Sequence, residues 1–160
     1  MSDTDAFTPY LPLPALLDDV AQLGFGELRR RLRAEGHPMF RSGHGCVFRY
    51  IDEDGTRLTA LAERSGFTKQ AVGEAVDDLE RMGYVERAPD PLDGRAKIIR
   101  MTARGSEGRR AAQRIFDEME SELAERFGER QIADLRALLE EIVSDSEPTA
   151  ADARRNFAAV

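Results

Sequence analysis

Between Leu58 and Thr102 the chain runs through two short helical stretches parted by a glycine, then two strand-like stretches around a turn-forming loop. That order constrains the fold more than anything else in the sequence. Thr59 is placed to cap a first helix carrying Leu61 and Ala62. Gly66 is placed to end it, because glycine takes the left-handed backbone of a helix terminus without steric cost. Thr68 is placed to cap a second helix, whose apolar residues Val72, Val76 and Leu79 recur at i, i+4 and i+7 with Ala75 beside them. That helix ends near Gly83. "YVERA" then reads as a strand, Asp93-Gly94 as a turn-forming centre, and "AKIIRM" as a second strand with Ile99 and Met101 on one face. Two short helices around a glycine turn, followed by a hairpin, make a winged helix-turn-helix.

The flanks are helical. Before this unit, Pro9, Pro12 and Pro14 give an extended lead-in, and Leu17, Val20, Ala21, Leu28 and Leu32 follow a helical period ending near Gly36-His37-Pro38. A second short helix is expected from Ser42 to Ile51, and Asp52–Gly55 as a turn. After it, Ile115, Met119, Leu123 and Phe127 form one stripe, Gly128 breaks it, and Ile132, Leu135, Leu139 and Ile142 form another. The expected class is mainly α (α+β), a winged helix-turn-helix held between N- and C-terminal helices. The expected division is 1–51 for the N-terminal helices, 52–104 for the winged unit, 105–145 for the C-terminal helices, and 146–160 as a loosely held tail.

Charge then raises a question. The chain carries a formal net charge of -7, yet Arg95, Lys97, Arg100 and Arg104 crowd into and just after the hairpin. A net-negative molecule is repelled by polyanions at long range, which disfavours indiscriminate nucleic-acid binding but leaves room for a local basic patch. No run approaches the roughly 18 apolar residues that span a bilayer. The opening "MSDTDAFTPYLPLP" has neither the basic nor the apolar region of a secretory signal. A single cysteine, Cys46, fits a reducing compartment, and the expected location is cytoplasmic without membrane attachment.

With these elements in order, the segment Leu58–Gly105 resembles the multiple-antibiotic-resistance regulator (MarR) family of winged-helix repressors. The family signature in the wing is Asp-x-Arg, five residues, then Leu-Thr-x-x-Gly. It stands here as Asp93-Gly94-Arg95, then Ala96–Arg100, then Met101-Thr102-Ala103-Arg104-Gly105, with Met for Leu the one departure. The resemblance implies a homodimer joined through its first and last helices, double-stranded DNA as partner, repression of nearby genes, and in many members release by a small aromatic ligand. It implies no cofactor.

The residues themselves support DNA contact. With Val72, Val76 and Leu79 packed inward, the second helix presents Thr68, Lys69, Gln70 and Gly73 at the end that enters a major groove. Gln pairs with adenine, Lys with guanine or phosphate, and Gly73 admits close backbone approach. Glu74, Asp77 and Asp78 are awkward there; either they clear the phosphates or Glu74 accepts from a cytosine amino group. In the wing, Asp93 is expected to brace the guanidinium of Arg95 for the minor groove. Lys97 and Arg100 are equally candidates for phosphate contact or for a solvated strand edge.

The apolar residues Leu11, Leu13, Leu16 and Leu17, with Leu135, Leu138, Leu139 and Ile142, are the expected dimerisation surface, with an intramolecular core as the equal alternative for some of them. Phe25, Phe40, His44, Phe48 and Arg49 form a candidate effector pocket, with core packing as the equal alternative. Cys46 offers a redox switch against the plainer reading of a small buried apolar residue. His37, His44 and Cys46 lack any recognised metal-ligand spacing, so no metal site is expected. An enzyme is not expected, since no nucleophile motif or phosphate-cradling loop is present. The competing functional classes are a redox-responsive repressor and a winged-helix protein-interaction module that leaves DNA alone.

Overall fold

The computed structural model describes residues 11–38 and 43–145. Helix α1 (Leu13–Ala34) opens with Pro14 in its first turn, where a missing N–H costs nothing. Then follow α2 (His44–Tyr50), β1 (Thr56–Arg57), α3 (Leu58–Ser65), α4 (Lys69–Arg81), β2 (Val85–Asp90), β3 (Asp93–Met101), α5 (Ala103–Phe127) and α6 (Glu129–Asp145). The predicted mainly helical architecture is therefore the observed one. Among the described residues no helix is long and apolar enough to cross a membrane.

The helix-turn-helix forms as its residues dictate. Gly66 takes the left-handed conformation at φ 70° and ends α3. The Thr68 hydroxyl accepts the Ala71 N–H at 3.2 Å and caps α4. Val72, Ala75, Val76 and Leu79 are buried along one face of α4. The expected cap at Thr59 is not formed: α3 begins two residues earlier, with Arg57 in the cap position and no side-chain cap. The reason is that Thr56 and Arg57 are held in β1, so the chain turns into the helix directly from a strand.

That two-residue strand also changes the sheet. It is three-stranded and antiparallel in the order β1-β3-β2, with Thr56 opposite Ile99 and Arg57 opposite Ile98. Along the hairpin Val85 faces Met101 and Ala88 faces Ile98. The adjacent Ile98 and Ile99 are both buried, not the alternating Ile99 and Met101 alone. The Asp52–Gly55 turn covers the second face of β3: a Cβ on Gly55, at φ 96°, would come within 3.0 Å of the Ile98 side chain.

The core joins α1 to the winged unit. Leu28 and Leu32 of α1 pack with Val47, Leu61, Val72, Val76, Leu79, Tyr84, Ile99 and Ile115, all nearly solvent-free. By contrast Leu123 and Phe127 at the far end of α5 are exposed, and α6 has no buried residue. The C-terminal helices thus leave the core with their apolar stripes open.

The junction of β3 and α5 explains the Thr-x-x-Gly spacing. The Thr102 hydroxyl accepts the Gly105 N–H at 3.1 Å and donates to the Gly83 carbonyl at 2.6 Å, while the Thr102 N–H reaches the Tyr84 carbonyl at 3.1 Å. Gly105 is pressed against that same carbonyl, so a Cβ would collide with the Tyr84 oxygen. In an open helix interior Gly→Ala stabilises by roughly 1 kcal/mol. Here the sign reverses: Gly105→Ala lowers stability by about 1–3 kcal/mol, as overpacking does, in urea unfolding followed by circular dichroism.

Candidate nucleic-acid interface

The N-terminal end of α4 is open to solvent. Thr68, Lys69 and Gln70 are all exposed, and the Lys69 ammonium has no ion-pair partner among the described residues. Gln70 donates to the Glu74 carboxylate at 3.1 Å, so its amide is held along the helix rather than free. A side chain at Gly73 would meet only Leu58, at 3.9 Å. Internal packing therefore does not demand glycine there, and the residue leaves open space on the outer face.

Of the acids on α4, Asp77, Asp78 and Glu80 are held in ion pairs. Arg87 of β2 is bound to Asp77 at 2.5 Å and to Glu80. Asp78 pairs with Arg81 at 2.7 Å and lies 3.1 Å from His44 Nε2. Three carboxylates of the helix are thus paired, Asp77 and Glu80 with Arg87 of β2 and Asp78 with Arg81 of the helix's own last turn. Glu74 alone of the four sits beside the open end, tied to Gln70.

The wing differs from expectation in its detail. The chain reverses at Pro91-Leu92, between the paired residues Asp90 and Asp93, and Asp93-Gly94 already belongs to β3. Asp90 builds the turn by accepting the Leu92 N–H at 2.8 Å. Its carboxyl is held below the usual carboxylate range by that backbone bond and by the Arg57 guanidinium. Asp93 accepts the Arg95 backbone N–H at 3.1 Å but does not brace the Arg95 guanidinium. Its other oxygen lies 3.6 Å from Arg57, which also donates to Asp90 at 2.6 Å. The physical reason is reach: Arg57 enters from the neighbouring strand across the base of the turn, whereas Arg95 points outward along β3. The Arg95 and Lys97 side chains are exposed and carry no ion pair among the described residues. Arg100 is exposed, with its Nε donating to the Asp54 carbonyl at 3.2 Å.

Arg57, Asp90 and Arg87 escaped the sequence reading. A strand of two residues has no periodicity to detect, and cross-element ion pairs leave no mark in local spacing.

Of the five predicted effector residues, the four that are described do not line one pocket. His44 and Phe48 are buried in the core, Phe48 edge-on to Tyr84 with ring centres 6.2 Å apart. Arg49 is exposed and lies over the Tyr50 ring. Phe25 sits elsewhere, edge-on to Phe116 at 6.4 Å, in a groove of about 640 Å³ between α1, α5 and α6. Phe40 lies outside the described residues. Among the described residues no group of three or more His, Cys, Asp and Glu is placed to hold a metal ion.

Cys46 is buried, and its thiol donates to the Gly43 carbonyl at 2.9 Å. Burial pushes its pKa from 9.0 up to about 11. Such a thiol carries roughly a hundredfold less thiolate at neutral pH than an open one, the reverse of a peroxide sensor.

Two short helices with a glycine turn, a three-stranded wing and long flanking helices define a winged helix-turn-helix protein. A sequence model of the MarR family matches residues 42–96. The chain is 31% identical over 97 residues to an uncharacterised HTH-type transcriptional regulator of Mycobacterium bovis, covering 61% of this chain and 66% of that protein. It is 35% identical over 88 residues to the transcriptional regulator HosA of Escherichia coli O111:H-, covering 54% of this chain and 65% of that protein. The chain thus spans just under two thirds of the length of these relatives. Among solved structures, the reduced form of E. coli MarR superposes with a TM-score of 0.70 at 20% identity, covering 84% of this chain and 98% of that one. CouR of Rhodococcus jostii RHA1, bound to p-coumaroyl-CoA, gives 0.63 at 24% identity over 86% and 95%. An S. aureus MepR variant bound to an oligodeoxyribonucleotide gives 0.56 at 22% over 84% and 98%. Over the matched segment the chain is similar to the MarR family, and it shares the fold of these solved structures.

The Cys46 environment fixes two expectations. A thiol-reactive disulfide reagent at pH 7 labels native protein at least about a hundredfold more slowly than denatured protein. Because the folded pKa is raised, the unfolded thiol ionises first, and the Cys46 contribution to stability is present below pH 9 and lost as pH rises toward 11. Urea unfolding across that window falls more steeply in the wild type than in Cys46→Ala.

Proposed function

We propose that this protein is a transcriptional regulator that binds an inverted-repeat DNA site as a homodimer and acts as a repressor. The observation that carries the reading is a division of charge. Asp77, Asp78 and Glu80 of α4 and Asp90 of the wing are held in internal ion pairs, while Lys69, Arg95 and Lys97 stand exposed without ion pairs among the described residues. Lys69 and Gln70 would meet a major groove at the start of α4, where free N–H groups also favour phosphate. Arg95 would enter the flanking minor groove and respond to its width. The DNA-bound MepR variant supports the same use of this fold.

Dimerisation is supported by the exposed apolar faces of the outer helices. Leu13, Leu16, Leu17, Val20 and Leu23 on α1, and Leu135, Leu138, Ile142 and Val143 on α6, all lie open in the single chain. A helix with no buried residue gains little from packing, so α6 needs a partner surface to persist. Two-fold symmetry then places the recognition helices about 34–36 Å apart, one turn of DNA. For an aromatic effector, the groove beside Phe25 and Phe116 replaces the pocket expected from sequence, and the ligand held by CouR supports the class.

Footprinting on the DNA upstream of the protein's own gene tests the reading. A protected inverted repeat with half-sites one turn apart is expected, and its absence counts against a local repressor. Lys69→Ala and Arg95→Ala each weaken binding by about 1–3 kcal/mol in fluorescence anisotropy. Indifference to both would remove the mechanism and leave the protein-interaction module. Aromatic carboxylates should dissociate the complex, and Phe116→Ala should blunt that release.

A further inference from the structure

We infer that Arg57 is a positioning residue for the wing, acting on DNA binding through Arg95 rather than by contact of its own. The inference rests on the reading of the wing as a DNA-contacting element. Arg57 occupies a joint: it pairs with β3 opposite Ile98 and is the residue from which α3 begins. From there its guanidinium spans the mouth of the wing turn, donating from Nε to Asp90 Oδ2 at 2.6 Å and placing Nη2 3.6 Å from Asp93 Oδ2. Each carboxylate uses its second oxygen on the backbone, Asp90 on the Leu92 N–H at 2.8 Å and Asp93 on the Arg95 N–H at 3.1 Å. An unbroken polar chain therefore runs from the start of the helix-turn-helix, through both ends of the turn, to the backbone of Arg95.

Three features favour a brace over a direct phosphate contact. Asp90 is only 7% exposed, so its partner is fixed from within the fold. A guanidinium facing two carboxylates leaves the cluster with net negative charge, which repels phosphate. The fork of Arg57 is spent on two residues bracketing a turn, a geometry that sets direction. A hairpin joined to its domain by two strands can twist, and tying both ends of its turn to the residue that starts α3 fixes how the wing leans relative to α4. Without that tie Arg95 would keep its charge and lose its aim.

The test uses the full-length dimer and the duplex it selects from a randomised library of about 30 base pairs, three turns of DNA. Arg57→Ala should weaken binding about tenfold or more. Asp90→Asn should weaken it comparably, although it removes a negative charge and would strengthen binding if Arg57 served phosphate. In the double variant with Arg95→Ala, Arg57→Ala should add no further loss, since both act through one contact. Hydroxyl-radical protection at the minor-groove flanks should disappear in Arg57→Ala and Asp90→Asn. Dimethyl sulfate protection of guanines in the half-site major grooves should remain, which also shows that the variants fold. Wild-type affinity in Asp90→Asn, additive losses in the double variant, or joint loss of both protections would each overturn the brace. A wild-type dimer that selects no duplex would instead sink the DNA-binding reading itself.

Discussion

Everything in this fold is pinned to the backbone and ring of Tyr84. Its N–H reaches back to the Leu79 carbonyl at 2.9 Å and closes α4, and its carbonyl accepts from Thr102 at 3.1 Å and starts α5. Its ring is fully buried, edge-on to Phe48 of α2, with the Arg104 guanidinium 4.8 Å above it and His37 3.2 Å from its hydroxyl. One residue therefore orders the end of the recognition helix, the root of the wing and the first turn of the long C-terminal helix. Gly105 is the geometric consequence, because α5 must lie against that carbonyl to bring Ala112 and Ile115 into the core. An aromatic with a polar tip suits this position, filling volume while satisfying polar groups at its rim.

Much of the chain's acidic charge is held in ion pairs between elements. Away from the α4–wing face, Arg31 joins Glu27, Glu118 and Glu122, and Arg114 joins Glu35 and Glu118, tying α1 to α5. Hydrogen bonds from Arg30 and Arg31 hold the Glu27 carboxyl down to about 2. These pairs are exposed and contribute little stability singly, but they set the rotation of one helix against the other. On the α4–wing face the same device works by subtraction. Arg87 pairs with Asp77 and Glu80, while Lys69, Arg95 and Lys97 carry no ion pair among the described residues.

Much of this was legible along the chain because helix and turn chemistry is local. The Thr68 cap, the Gly66 terminus and the Val72–Val76–Leu79 stripe each depend on residues within a turn or two, and each formed as read. Gly128 parted α5 from α6 for the same reason. Apart from the wing turn, which lies two residues before the Asp93-Gly94 centre, the misplaced features involve partners distant in sequence. Thr59 lost its cap to a strand that exists only by pairing with β3. Asp93 was given to the nearest arginine and belongs instead to Arg57, 36 positions away, across the sheet. The aromatic residues were grouped by proximity in sequence, yet α1 and α2 turn Phe25 and Phe48 into different environments.

The sequence by itself determined the helices and the hairpin, their order and the residues offered to solvent at α4 and the wing. Periodicity, caps and a left-handed glycine such as Gly66 act over a few residues and need no further information. Only the tertiary structure decided which charges are free. Opposite charges find one another across strands and helices, at separations of 7 to 91 positions here, and pairing energy depends on distance in space rather than along the chain. Basic residues crowded in a hairpin are a composition; Arg95 exposed while Arg57 is committed is a geometry, and that distinction exists only after folding.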